Sequence, residues 1–193
     1  METTILHFSE KLRFSDDEFY EFCQDNSDLK FERTKHGDII LMANTGGKTG
    51  IANIQMSVEI EIWNRQARFG KVFDSSTAFR LPDTSVKSPD VAVVAMARWN
   101  ALSEEQKEKF PPVCPDFVVE IRSATDRLKD AQQKMTEWIE NGCRLAWLVD
   151  VTMQTVYIYH SNREMQESKG FGSNQLSGED ILSGFVFNLE VLL

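Results

Sequence analysis

The segment from Asp116 to Asp150 limits the fold more than any other part of this 193-residue chain. Asp116-Phe117-Val118-Val119-Glu120-Ile121 is rich in β-branched and aromatic residues, the composition of a buried strand. Leu128 to Asn141 then places Leu128, Ala131, Met135 and Trp138 at the three-and-four spacing of a helix face, and Gly142 closes it. Arg144 to Asp150 is again nearly all apolar and reads as a central strand. Strand, helix and strand in this order imply a parallel pair joined by a right-handed crossover. The chain must therefore build a sheet covered by helices.

The remaining segments fit around that unit. Ser15-Asp16-Asp17-Glu18 is a capping box that opens a short acidic helix through about Cys23. Leu29 to Arg33 and Ile39 to Met42 form a hairpin around Lys35-His36-Gly37-Asp38. Asn44 to Gly50 reads as a loop. Its Gly47-Lys48-Thr49 resembles the end of a phosphate-binding loop, but Met42 stands where the first glycine belongs. A helix follows from Ile51 to Phe69, with Ile51, Ile54, Val58, Ile62 and Trp63 predicted to face the sheet and Gly70 to cap it. Lys71 to Phe73 and Ala78 to Leu81 read as strands with a turn between them. Ser88 to Val94 is a strand entered through Pro89. Arg98 to Phe110 reads as one polar helix stopped by Pro111-Pro112, while Thr155 to His160 and Phe185 to Leu189 are further strands. The expected architecture is a single α/β domain over 1–193, a mixed β-sheet flanked by helices. Residues 1–28 form an N-terminal helical extension and 161–193 a C-terminal appendage.

Charge and composition narrow the function classes. Lys and Arg total 21 against 30 Asp and Glu, a net charge of −9, which argues against coating nucleic acid by bulk attraction. An acidic protein acting on DNA must gather its basic residues on one face and needs a cation at any carboxylate site. No apolar run approaches the ~20 residues of a membrane span, and the N-terminus lacks a secretory pattern. Cys23, Cys114 and Cys143 form no C-x-x-C pair, so a cytoplasmic protein with reduced cysteines is expected. His7, His36 and His160 lie in no nucleophile motif. Trp63, Trp138 and Trp147 fall within apolar patterns and read as core, with Trp99 beside Arg98 the exposed aromatic.

Two acids stand out. Alternate side chains of a strand share a face, so Glu120 projects with Val118 and Arg122 from an otherwise apolar segment. A carboxylate there is costly unless it is paired or binds a cation. Asp90 opens another apolar strand. On neighbouring strands the two would offer hard oxygen ligands to magnesium. Spacing alone leaves the blander reading open: Asp90 as a turn former, and Glu120 paired with Arg122, Lys134 or Arg144.

The blocks FERTKHGDIILM (Phe31–Met42), GKVFDSSTAFRLP (Gly70–Pro82), SPDVAVV (Ser88–Val94), FPPVCPDFVVEIRSATDRL (Phe110–Leu128) and KMTEWIENGCRLAWLVD (Lys134–Asp150) add context. In this order they resemble the bacterial "putative restriction endonuclease" family, a branch of the PD-(D/E)XK nuclease superfamily. The resemblance implies a Mg2+-dependent endonuclease, with Mn2+ as a substitute ion and DNA as substrate. Asp90 then takes the place of the motif's Asp and Glu120 that of its (D/E). The backbone carbonyl of Ile121 becomes a further metal ligand, and Glu32 matches a family acid that contacts the metal directly or through another group.

The motif's lysine is replaced by Arg122, which stays protonated and cannot be a base, though it can bind the scissile phosphate. Lys134 offers the missing amine. At 100° per residue it lies just beside the apolar stripe of its helix, which suits a migrated catalytic lysine or a snorkelling lysine covering Trp138. In the implied reaction Lys134 orients the attacking water and Arg122 steadies the phosphoryl oxygens. Two other readings stand beside the enzyme: a degenerate nuclease fold that only binds, and a self-associating module. In the second, an apolar edge at Val156 to Tyr159 forms a homodimer.

Overall fold

The computed structural model describes residues 4–193. A five-stranded sheet is built from β1 (Thr4–Leu6), β2 (Lys30–Arg33), β3 (Ile39–Met42), β5 (Phe79–Arg80) and β6 (Val86–Lys87), in the order β1-β3-β2-β6-β5. A six-stranded sheet holds β4 (Gly70–Phe73), β7 (Val91–Ala95), β8 (Phe117–Arg122), β9 (Leu145–Asp150), β10 (Thr155–His160) and β11 (Gln166–Lys169). Its order is β11-β10-β9-β8-β7-β4, with β8 and β9 parallel and its other pairs antiparallel. The strands β12 (Gln175–Ser177) and β13 (Val186–Asn188) form a separate pair. The predicted parallel unit is present, with helix α5 (Leu128–Glu140) joining β8 to β9. The fold is α/β, with a mixed six-stranded sheet and an antiparallel five-stranded one flanked by helices.

Strand alternation sorts the core into two layers. Phe117, Val119 and Ile121 pack with Ala52, Met56 and Ile60 of α2 (Gly47–Ala67) on one face of the large sheet. Phe185, Phe187, Leu189 and Leu192 join this cluster, so the segment after residue 160 completes a main core. Val118 points the other way, into a layer with Met135 and Trp138 of α5. The N-terminal segment is also packed. Phe19 of α1 (Asp16–Asp25) is fully buried against Ile39 and Val86, and the Ser15–Glu18 capping box forms as expected.

Several expectations are corrected. Helix α2 starts four residues earlier than predicted, so Gly47 to Gly50 form its first turn. Its buried face is Ala52, Met56, Ile60 and Asn64, whereas Ile51, Ile54, Val58 and Ile62 are exposed. The helix carries two apolar stripes, and periodicity alone cannot say which faces inward. Arg68 (φ 52°), not Gly70, is the left-handed cap. Gly70 lies in β4, where a Cβ would stand 1.9 Å from the Val94 carbonyl oxygen. The strands β4 and β5 belong to different sheets. The predicted helix from Arg98 to Phe110 is two short ones, α3 (Met96–Asn100) and α4 (Glu104–Glu108), because the Ser103–Gln106 capping box restarts the chain. Trp99 is half-buried, its ring 5.2 Å from that of Phe73. The predicted edge at Val156 to Tyr159 is covered, since β11 pairs with β10 (Val156 opposite Ser168). No described helix is long and apolar enough to cross a membrane.

Candidate active site

The chain passes from the small sheet to the large one through Ser88-Pro89-Asp90, between β6 and β7. This crossing places the acids. Strand β7 pairs with β8 from Val91 opposite Val119, so Asp90 stands just beyond the ladder's end. Its Oδ2 accepts the Ile121 amide at 2.6 Å, and its Oδ1 accepts the Asn53 side-chain amide of α2 at 2.9 Å. In a strand the N–H and C=O of one residue project to the same edge. The Ile121 carbonyl therefore also projects toward the side on which Asp90 stands.

Glu120 is held from α5. Its Oε1 accepts the Trp138 indole N–H at 2.8 Å and meets Lys134 Nζ at 2.9 Å. Lys134 Nζ also lies 2.9 Å from Glu32 Oε1 and donates to the Ser88 carbonyl at 3.0 Å. Three acceptors thus surround an ammonium with three N–H groups. Glu32, in β2, further accepts the Ser88 amide at 3.0 Å, and Lys87 Nζ stands 4.0 Å away. Lys87 is buried as well, and pairs with Glu137 of α5 at 2.7 Å.

Burial sets the protonation of this group. It pushes the Glu120 carboxyl up to about 7, against Lys134 and reinforced by the nearby Asp90 and Glu32 charges. Burial also raises Asp90, despite its hydrogen bond from Ile121. For Glu32 burial is outweighed by Lys134 and Lys87, which hold its carboxyl below the usual range. Lys134 follows the same balance: burial works against its charge, but Glu120 and Glu32 together raise it above an ordinary lysine. The cluster holds a fixed cation beside two acids that burial keeps reluctant to ionise.

The structure brings Asp90, Glu120, Lys134 and Glu32 together. Arg122 does not join them. Its Nη1 pairs with buried Asp150 at 2.5 Å and its Nε donates to the Asp126 carbonyl, so the guanidinium is turned toward β9. Asn53, Lys87 and the indole of Trp138 went unseen in the sequence. Trp138 fits an apolar stripe, and only its N–H betrays a polar task. The Val-Lys-Ser-Pro run held no sign that Lys87 would be buried.

Among the described residues no three His, Cys, Asp or Glu side chains gather at metal-binding spacing. A magnesium site needs less, since that ion is commonly held by one or two carboxylates and keeps several waters. Asp90, Glu120 and the Ile121 carbonyl are hard oxygen donors of the right kind. A cation beside them would offset the burial that raises both carboxyls. Glu32 is already committed to lysine and amide donors.

The fold has a counterpart among solved structures. A crystal structure described as "a putative nuclease belonging to DUF820" from Anabaena variabilis is similar with a TM-score of 0.74, covering 93% of this chain and 97% of that one. At 20% identity the likeness extends to the fold. No curated protein matches the sequence. Residues 16–190, which take in every residue of the cluster just described, match the Uma2 family, described as "Putative restriction endonuclease", and the chain belongs to that family.

Proposed function

We propose that this protein is a Mg2+-dependent endonuclease that hydrolyses DNA phosphodiester bonds, with Asp90, Glu120 and Lys134 at its centre. The observation that carries this reading is the placement of Lys134, whose ammonium meets Glu120, Glu32 and the Ser88 carbonyl beside Asp90. A migrated lysine explains that convergence, whereas a snorkelling one would send its head to solvent.

Asp90, Glu120 and the Ile121 carbonyl would hold the ion, with Mn2+ able to substitute. When bound, a divalent ion supplies phosphate neutralisation and a more acidic water. The protein's own groups do the positioning. Asn53 and the Ile121 amide fix Asp90, while the Trp138 indole fixes Glu120. Glu32 and Ser88 aim Lys134, which stays protonated and so stabilises anionic phosphoryl oxygens and orients water by donating hydrogen bonds. Arg122 would reach a phosphate only by leaving Asp150, so its task is to hold β8 to β9.

One observation favours a second reading, a fold that binds without cutting. Lys134 already balances two of the three acids, as a residue replacing a metal would. The assay is incubation of supercoiled DNA with Mg2+ or Mn2+, beside the Asp90→Ala/Glu120→Ala variant. Cleavage by the wild type alone is expected. Equal cleavage by both proteins removes the site assignment. No cleavage together with no heat of Mg2+ binding in calorimetry selects the binding module.

A further inference from the structure

Three of the cations around the acids are already committed. Lys134 meets three protein acceptors, Lys87 pairs with Glu137, and Arg122 pairs with Asp150. Lys30 is different. Among the described residues its Nζ meets the Ser75 carbonyl alone, at 3.5 Å, and no carboxylate pairs with it. That distance is beyond the usual range of an N–H···O bond, so the three N–H groups of this ammonium are barely used.

Backbone geometry sends Lys30 toward the site. Alternate residues of a strand share a face, so Lys30 projects from the same side of β2 as Glu32. Phe31 and Arg33 take the other side, against Phe22 and Asp16 of α1. Strand β2 pairs antiparallel with β6, Arg33 opposite Val86. Stepping back along β2 from Arg33 to Lys30 therefore follows the chain forward from Val86 toward Asp90. Glu32 marks a point on that path by accepting the Ser88 amide. The Lys30 charge is felt at its end: burial raises the Asp90 carboxyl, and Lys30 is among the groups that oppose the rise. Lys30 is exposed, whereas Asp90 and Glu120 lie deeper.

We infer, resting on the nuclease reading, that Lys30 binds a backbone phosphate of the DNA strand as it enters over Asp90. The ammonium exchanges the distant Ser75 carbonyl for phosphoryl oxygens, a charge-assisted and stronger partner. A chain of net charge −9 otherwise repels a polyanion, so an unpaired cation at the mouth of the site has its greatest effect there. Lys30 acts in binding and leaves the chemistry to the groups beneath it.

Fluorescence anisotropy of a short labelled DNA duplex, titrated with the full chain in Ca2+ at several salt concentrations, tests this role. Lys30→Gln keeps a donor for Ser75 but loses the charge. Its affinity should fall, and its plot of log affinity against log salt should be shallower by about 0.9, the mark of one lost phosphate contact. Lys30→Arg should keep the wild-type slope. Lys35→Ala, in the exposed hairpin turn at the other end of β2, should change neither quantity. With Mg2+, cleavage by Lys30→Gln should show a raised KM and an unchanged kcat, as loss of uniform binding does. A Lys30→Gln slope equal to that of the wild type overturns the assignment, as does a wild type that binds no DNA. Binding that depends on Lys30 without any cleavage upholds it and removes the nuclease activity instead. Cleavage with an unchanged Lys30→Gln slope does the reverse.

Discussion

At the residue scale the site is a problem of buried charge. Glu120 has its carboxyl pushed up to about 7 by burial, so the folded protein binds its proton more tightly than the unfolded chain does. The stability it contributes is complete below the ordinary glutamate range, near pH 4.5, and is lost as pH rises toward about 7. Asp90, also raised, acts in the same sense. Glu32 is lowered, so its contribution is present above the ordinary range and is lost only in acid. Glu120→Gln should therefore match the wild type near pH 4 and exceed it above pH 7, by on the order of 3 kcal/mol. Urea melts at pH 4, 6 and 8 would show this as a flatter profile for the variant. Magnesium at pH 8 should stabilise the wild type and leave the variant unchanged. A buried carboxylate that resists ionisation was partly legible in the sequence, because Glu120 interrupts an apolar run. Its partners were less so. Lys134 could be found by its angle on α5, but Asn53 and Lys87 come from segments whose approach to Asp90 and Glu32 only the folded chain reveals.

At the element scale, the strands around the crossover were readable because composition and spacing agreed there. Phe117 to Arg122 and Leu145 to Asp150 are buried on nearly every side, and α5 has a single apolar face. Helix α2 defeated the same method by offering two. Choosing between Ile51-Ile54-Val58-Ile62 and Ala52-Met56-Ile60 requires knowing which side of the helix the large sheet covers, and only the folded chain shows that it is the second. The end of α2 departs from the expected pattern for a related reason. Glycine after a helix usually marks the left-handed cap, yet here Arg68 takes that conformation and Gly70 serves close packing instead. The two positions should respond oppositely to substitution. Arg68→Gly relieves a positive φ and should stabilise by about 0.5–1 kcal/mol. Gly70→Ala drives a Cβ into the Val94 backbone, which cannot swing away like a side chain, and should cost about 2 kcal/mol or more. Thermal melts of both variants would decide the assignment, and a harmless Gly70→Ala would contradict the β4–β7 packing.

At the scale of the whole molecule, the candidate site is also the seam between two sheets. Glu32 comes from the five-stranded sheet, Glu120 from the six-stranded one, and Ser88 from the link between them. Lys134 ties all three, and Lys87 ties the small sheet again to Glu137 of α5. All four tryptophans, Trp63, Trp99, Trp138 and Trp147, belong to elements packed on or within the large sheet. Their fluorescence thus reports that layer, while far-ultraviolet circular dichroism reports both. In the wild type the two signals should change together in urea, as a single cooperative unit requires. Lys134→Met removes the shared cation and leaves Glu32 and Glu120 facing each other across the seam. Breaking a buried pair in this way costs about 3–5 kcal/mol. That loss falls on the contact between the sheets more than on either core, because Phe19, Ile39 and Val86 pack apart from Met135 and Trp138. The variant should therefore lose circular dichroism at lower urea than tryptophan fluorescence, and acid that protonates Glu120 should narrow the gap. Coincident transitions in Lys134→Met would mean that apolar contacts such as those of Phe79 hold the sheets together without the site's help.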